Sequence, residues 1–147
     1  MAGVAYVERL SGTFYRLAEP LREQTIALEI EASLRNLRTR VATATGHLRA
    51  EDLAEAPVQG TVTLRGLTER RIAYDLAFVG RDGRRYRLRG EKDLSWLAPV
   101  ETLVALPFTI GVDQDGLWTE IARGTMRFDV GRDSLRALVR SVRASPF

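Results

Sequence analysis

Hydrophobic positions along the chain change their period several times, and those changes predict its elements. Val7, Leu10, Phe14, Leu17 and Leu21 recur three or four residues apart, which predicts an N-terminal helical extension over 1–22. Ser11-Gly12-Thr13 interrupts that stripe, so a bent helix or a strand over Gly12–Leu17 is the alternative. From Thr25 the period is two: Ile26, Leu28, Ile30, Ala32 and Leu34 alternate with Ala27, Glu29, Glu31 and Ser33. Val41 to Leu48 reads as the next strand, Arg49 to Ala56 as a short helical turn closed by Pro57, and Val58 to Leu64 as strand again.

The segment from Arg71 to Lys92 reads as a hairpin. Ile72, Tyr74, Leu76 and Phe78 share one face, and Tyr86, Leu88 and Gly90 return on it. For these sets to share that face, Phe78 must lie opposite Tyr86 and Leu76 opposite Leu88. The loop is then Arg81-Asp82-Gly83, with Gly83 in the left-handed conformation. The same register sets Asp75 against Arg89 on the outer face, an ion pair of a few tenths to about 1 kcal/mol.

A second hairpin brings Val104, Leu106, Phe108, Ile110 and Val112 against Ala122, Gly124, Met126 and Phe128 through a turn at Asp113–Gly116. Pro107 lacks a ladder donor, so its strand is an edge or bulged there. Asp133 as cap, with Leu135, Leu138, Val139 and Val142 on one stripe, predicts a C-terminal helix over 131–145. The fold expected is mainly β. It is a single domain over 1–147, an antiparallel barrel of seven or eight strands over 23–130, calycin- or lipocalin-like, with a helix at each end. Closure removes the edges that such apolar strands would expose.

Composition narrows the chemistry. The 147 residues suit one core, and 45% hydrophobic with 28% charged residues is a globular balance. The absence of cysteine excludes disulfides and thiolate sites, and a single histidine, His47, gives no basis for a metal centre. Arginine supplies 21 of the 22 basic residues, and Lys92 is the one lysine. These arginines are spread among 19 acids rather than gathered with aromatics, so nucleic acid is not an expected partner. No basic start followed by an apolar run suggests a secretory signal, and no apolar run reaches the roughly 18–20 residues of a membrane helix. The expected location is cytoplasmic.

Familiar motifs fail on inspection. Asp113-Gln114-Asp115-Gly116 has its glycine too early for a calcium loop, and Gly124 stands where a bidentate Glu is needed. Gly80-Arg81-Asp82-Gly83 leads into a strand and lacks the lysine of a phosphate loop. No Gly-x-Ser-x-Gly occurs. No cofactor is implied.

Two features carry functional expectations. A three-residue second loop, Gln114-Asp115-Gly116, would put Glu120 inside opposite Ile110, where a carboxylate could act as a general acid or base. Small inward residues beside aromatic ones leave room for an apolar ligand against Tyr74, Phe78, Tyr86, Leu88, Phe108, Met126 and Phe128. The same small residues could instead make room for the neighbouring aromatics. The row Arg85, Arg87, Arg89 is a candidate docking surface for an acidic protein.

Gly46-His47-Leu48-Arg49-Ala50-Glu51-Asp52-Leu53, Gly60-Thr61-Val62-Thr63, Ile72-Ala73-Tyr74-Asp75-Leu76-Ala77-Phe78, Asp82-Gly83 and Leu88-Arg89-Gly90-Glu91-Lys92 occur in this order. Glu101-Thr102-Leu103 and Arg123-Gly124-Thr125-Met126-Arg127-Phe128 follow. This order resembles a small β-rich domain that accompanies cholesterol-oxidase-like flavin oxidoreductases of the glucose–methanol–choline type and related α/β-hydrolase fusions. The likeness covers about residues 25 to 145; residues 1–22 do not match. It implies an accessory role near lipid or sterol chemistry and carries no catalytic residue, because the flavin-binding glycines belong to the neighbouring domain. The functional expectation is a non-catalytic module for a lipid- or sterol-like ligand or a lipid-acting enzyme. The alternatives are a cofactor-free isomerase or cyclase using Glu120 and a protein-interaction domain using the arginine row.

Overall fold

The computed structural model describes residues 4–34, 40–65, 71–93 and 105–128. Eight strands follow one another: β1 (Val4–Arg16), β2 (Glu19–Leu34), β3 (Val41–Ala50), β4 (Ala54–Arg65), β5 (Arg71–Val79), β6 (Arg85–Asp93), β7 (Ala105–Gln114) and β8 (Leu117–Phe128). Each pairs antiparallel with the next, and β1 returns to pair with β8, so the sheet is a closed barrel. The helix expected over 131–145 lies outside the described residues, as does Val104.

The N-terminal helical extension is corrected: residues 4–16 are β1, and β2 already starts at Glu19. The inward positions of β1 are Glu8, Leu10, Gly12 and Phe14, a period of two whose apolar signal a charge and a glycine conceal. Three residues of the helical stripe face solvent: Val7 is 58% exposed, Leu17 41% and Leu21 fully. Pairing on both sides, to β2 and to β8, outweighs the local helical pattern.

The helical turn expected over Arg49–Ala56 is only the tight connection at 51–53; Ala54 and Pro57 belong to β4. Pro57 pairs with His47 of β3, whereas the β4–β5 ladder starts at Gln59↔Ala77, so the missing proline N–H interrupts nothing on that side. Pro107 is placed alike: it pairs with Thr125, one residue outside the β6–β7 ladder.

The first hairpin has the expected register. Phe78 pairs with Tyr86, Leu76 with Leu88 and Asp75 with Arg89. Gly80 N–H donates to Arg84 O at 2.9 Å around a loop in which Gly83 has φ 79°. Asp75 contacts Arg89 at 3.7 Å but lies closer to Arg87, at 3.0 Å.

The second hairpin departs from expectation. Its loop has two residues, Asp115 and Gly116, both with positive φ (54° and 81°), flanked by the pair Gln114↔Leu117. This is the conformation in which two-residue loops match strand twist. The ladder then slips between Ile110 and Gly111: Gly111 pairs with Glu120, while Ile110 pairs with Ala122. Ile121 is the extra residue of a bulge.

Inward positions form one apolar core. Ala32, Ala42, Ala44, Ala50 and Ala54 line β2 to β4, while Phe14, Tyr74, Phe78, Tyr86 and Phe108 fill the space from β1 and β5 to β7. Small side chains on one wall thus make room for aromatics from the other. Several inward glycines serve close strand approach rather than space. A Cβ on Gly46 or Gly60 would sit inside contact distance of the Glu29 or Asp75 carbonyl oxygen. Outward positions carry charge, among them Glu29, Glu31, Arg49 and Glu55, all exposed. A barrel facing lipid has the opposite alternation.

The two barrel ends differ. All four tight turns lie at one end, where Arg81 N–H donates to Leu53 O at 2.9 Å and the Gln24 amide donates to Glu51 O at 2.7 Å. Leu53 is buried there, and the Tyr86 hydroxyl donates to Asp82. Side chains close this end. The strand ends Leu34, Val41, Arg65, Arg71, Asp93 and Ala105 lie at the other.

Candidate functional site

Beyond Gly90, β6 keeps its alternation, so Lys92 points inward after Tyr86, Leu88 and Gly90. The chain's one lysine is only 4% exposed. Its Nζ lies 3.7 Å from the Phe128 ring centroid and 5.7 Å from that of Tyr74. Ring faces are negative, so they replace part of the hydration that an ammonium loses on burial. From β1, Glu8 enters the same layer at 6% exposure, and its Oε2 accepts a 2.9 Å hydrogen bond from the Tyr74 hydroxyl. Four strands therefore meet here: β1 with Glu8, β5 with Tyr74, β6 with Lys92 and β8 with Phe128.

Burial dominates the electrostatics. Removal from water disfavours either charge, pushing Lys92 down to about 8 and raising the Glu8 carboxyl above its ordinary range. Mutual attraction opposes both shifts, and the Tyr74 hydrogen bond also favours the ionised Glu8. An amine in this range is partly neutral near pH 8 and therefore nucleophilic; as an ammonium it would pair an anionic head group. Glu8 and Tyr74 supply an adjacent proton donor and acceptor.

The β6–β7 ladder covers five pairs, from Tyr86↔Val112 to Gly90↔Phe108, and stops two residues short of Lys92. An open groove of about 910 Å³ lies on the outer face of β5 to β8, lined by Asp75, Arg89, Glu91, Thr109 and Arg123 and touching the inward Tyr74, Gly90 and Phe108.

The residues proposed from sequence fall into three groups. Tyr74, Phe78, Tyr86, Leu88, Phe108 and Met126 are all inward and at most 5% exposed, with Phe128 packed against them. Phe78 and Tyr86 stack with centroids 5.7 Å apart near the turn end, and the Tyr86 hydroxyl is engaged by Asp82. Tyr74 and Phe128 share the layer of Glu8 and Lys92. Glu120 is not inside: the two-residue loop and the bulge put it opposite Gly111 on the outer face. Both its oxygens accept hydrogen bonds from Arg123, which hold its carboxyl below the ordinary value.

Two of the three outer arginines, Arg87 and Arg89, are already engaged. Arg87 and Arg89 share Asp75, and the Arg89 guanidinium stacks 4.3 Å over the Trp118 ring, which itself covers Gly111. His47 is exposed between Glu29 and Pro57. Among the described residues no group of three His, Cys, Asp or Glu could hold a metal ion, and no helix is long and apolar enough to cross a membrane. Glu8 and Lys92 escaped the sequence reading, although the Tyr86–Leu88–Gly90–Lys92 alternation already marked Lys92 as inward. No known protein family, curated protein or solved structure matches the chain.

Proposed function

We propose that the barrel is a non-catalytic binding module for an apolar, lipid- or sterol-like molecule with one polar end. The polar end would meet Lys92, Glu8 and Tyr74, and the apolar body would lie against Phe128, Phe108 and Met126. The observation that carries this reading is the burial of the chain's one lysine beside a carboxylate in an otherwise apolar interior. Burying a lysine and a carboxylate is a poor way to stabilise a core, since well-packed apolar residues do as well or better. Perturbed ionisable groups of this kind cluster at functional sites. Eight-stranded barrels have interiors that are filled or hold one small ligand, and here the closed turn end and packed middle leave the Lys92 end.

The resemblance to an accessory domain of lipid-acting oxidoreductases supports the apolar ligand class and suggests such an enzyme as partner. Glu120, paired on the outer surface with Arg123, gives no support to catalysis in the interior. With Arg87 and Arg89 engaged by Asp75 and Trp118, the arginine row is a weaker docking surface than free guanidinium groups would be.

Native mass spectrometry after incubation with dodecanoic acid, dodecanol and cholesterol tests the proposal. One molecule retained per chain, unchanged in mass and lost in the Glu8→Gln/Lys92→Met double variant, is the expected result. No retention by folded wild-type protein would overturn it.

A further inference from the structure

Resting on the ligand-binding reading above, we propose that Lys92 captures an aldehyde or ketone covalently, as an imine, at the β6–β7 seam. Three observations lead there. Lys92 is the one lysine among 22 basic residues, so arginine, which cannot form an imine under ordinary conditions, stands at every other basic position. Among the described residues it is also the basic side chain that is buried, set among Tyr74, Phe128 and Glu8. Finally, an open groove on the outer face of β5 to β8 also touches the inward Tyr74, Gly90 and Phe108, and the Tyr74 ring it reaches lies 5.7 Å from Lys92 Nζ.

The chemistry balances without an oxidant or reductant. The neutral Nζ attacks the carbonyl carbon, and the C=O π pair moves to oxygen, giving a carbinolamine. A proton delivered to its hydroxyl lets that group leave as water, and loss of the remaining N–H proton leaves C=N. Glu8 is the titratable group whose charge Lys92 feels, and its carboxyl, hydrogen-bonded by Tyr74, serves as the shuttle that gives and then takes the proton. Burial, which holds the amine at about 8, keeps a nucleophilic fraction available near neutral pH. Exclusion of bulk water also slows hydrolysis of the imine. The ligand class is therefore a long-chain aldehyde or a ketone with an apolar body.

The test uses the folded, full chain with dodecanal and sodium cyanoborohydride at pH 8, followed by digestion and peptide mass mapping. The chain's terminal amine is the internal comparator, because no second lysine exists. Parallel native mass spectrometry with dodecanol, which cannot form an imine, reads non-covalent binding alone. Near-stoichiometric dodecyl addition at Lys92, at least tenfold faster than at the terminal amine and slowed by Glu8→Gln, is expected. Dodecanol retention with no addition at Lys92, or addition confined to the terminal amine, would overturn imine capture and leave the binding module standing. Failure of both dodecanol retention and addition would overturn both readings. Because peptide mapping locates the adduct on wild-type protein, the result does not depend on a Lys92 variant folding.

Discussion

The Tyr74 hydroxyl donates a 2.9 Å hydrogen bond to the Glu8 carboxylate across the barrel interior, joining β5 to β1 over 66 positions of sequence. Both residues are buried, so this bond shields the carboxylate from an apolar surround. Tyr74→Phe removes the donor and leaves the acceptor in place. It should destabilise the protein by about 1–3 kcal/mol in urea unfolding, the cost of a buried polar group left short of a partner. A change within error would mean that Glu8 reaches water in solution.

Lys92 gives stability a distinct pH dependence. Its folded value of about 8 lies below its ordinary 10.5, so between these values the unfolded chain holds a proton that the folded chain has released. Stability from this group is fully present above 10.5 and is lost as pH falls through 8. Tyr86, pushed up to about 12 by burial and Asp82, has the opposite effect above its ordinary 10.0, so the clean window is about pH 8 to just below 10. Thermal unfolding at pH 8.0 and 9.5 should show wild type gaining stability relative to Lys92→Met. Parallel curves would contradict a depressed lysine.

Much of this architecture can be read from the chain. Strict alternation over Thr25–Leu34 and the shared face of Phe78 and Tyr86 specify strands and register, because an error of one residue would turn an apolar set to solvent. Where an inward position carries glycine or charge, the signal fails. Gly12 and Glu8 broke the alternation of β1 and left an accidental helical stripe in which Val7, Leu17 and Leu21 are exposed. The slip at Ile110 has no such signature, since a bulge adds one residue without altering the apolar pattern on either side. That slip, together with Asp115-Gly116 forming a two-residue turn, moved Glu120 from the expected interior to the surface. The site itself was half visible: Tyr74 and Phe128 belonged to the inward set. Their meeting with Glu8 depends on barrel closure between β1 and β8, which no local pattern encodes.

Glu120→Gln follows from that placement. Its carboxylate is a surface partner of Arg123, so ligand retention and unfolding midpoint should both remain within error of wild type. Loss of ligand retention in a folded Glu120→Gln protein would mean that the bulge at Ile121 does not hold in solution.

Gly60→Ala tests why glycines line part of the interior. An added Cβ would collide with the Asp75 backbone carbonyl of β5, an obstacle that cannot rotate away. Overpacking of this kind costs about 1–3 kcal/mol, and the upper end is expected in denaturant titration. A neutral or stabilising substitution would show that β4 and β5 stand further apart than their paired backbones imply.

A single lysine makes the central claim directly observable. With ¹³C-labelled lysine the protein gives one side-chain CεH₂ resonance, which can be titrated with pH and then with dodecanoic acid. The account predicts a midpoint near 8 for free protein, and a saturable shift of the resonance when ligand is added. A midpoint near the ordinary 10.5, unmoved by ligand, would contradict a buried Lys92 at the centre of a binding site.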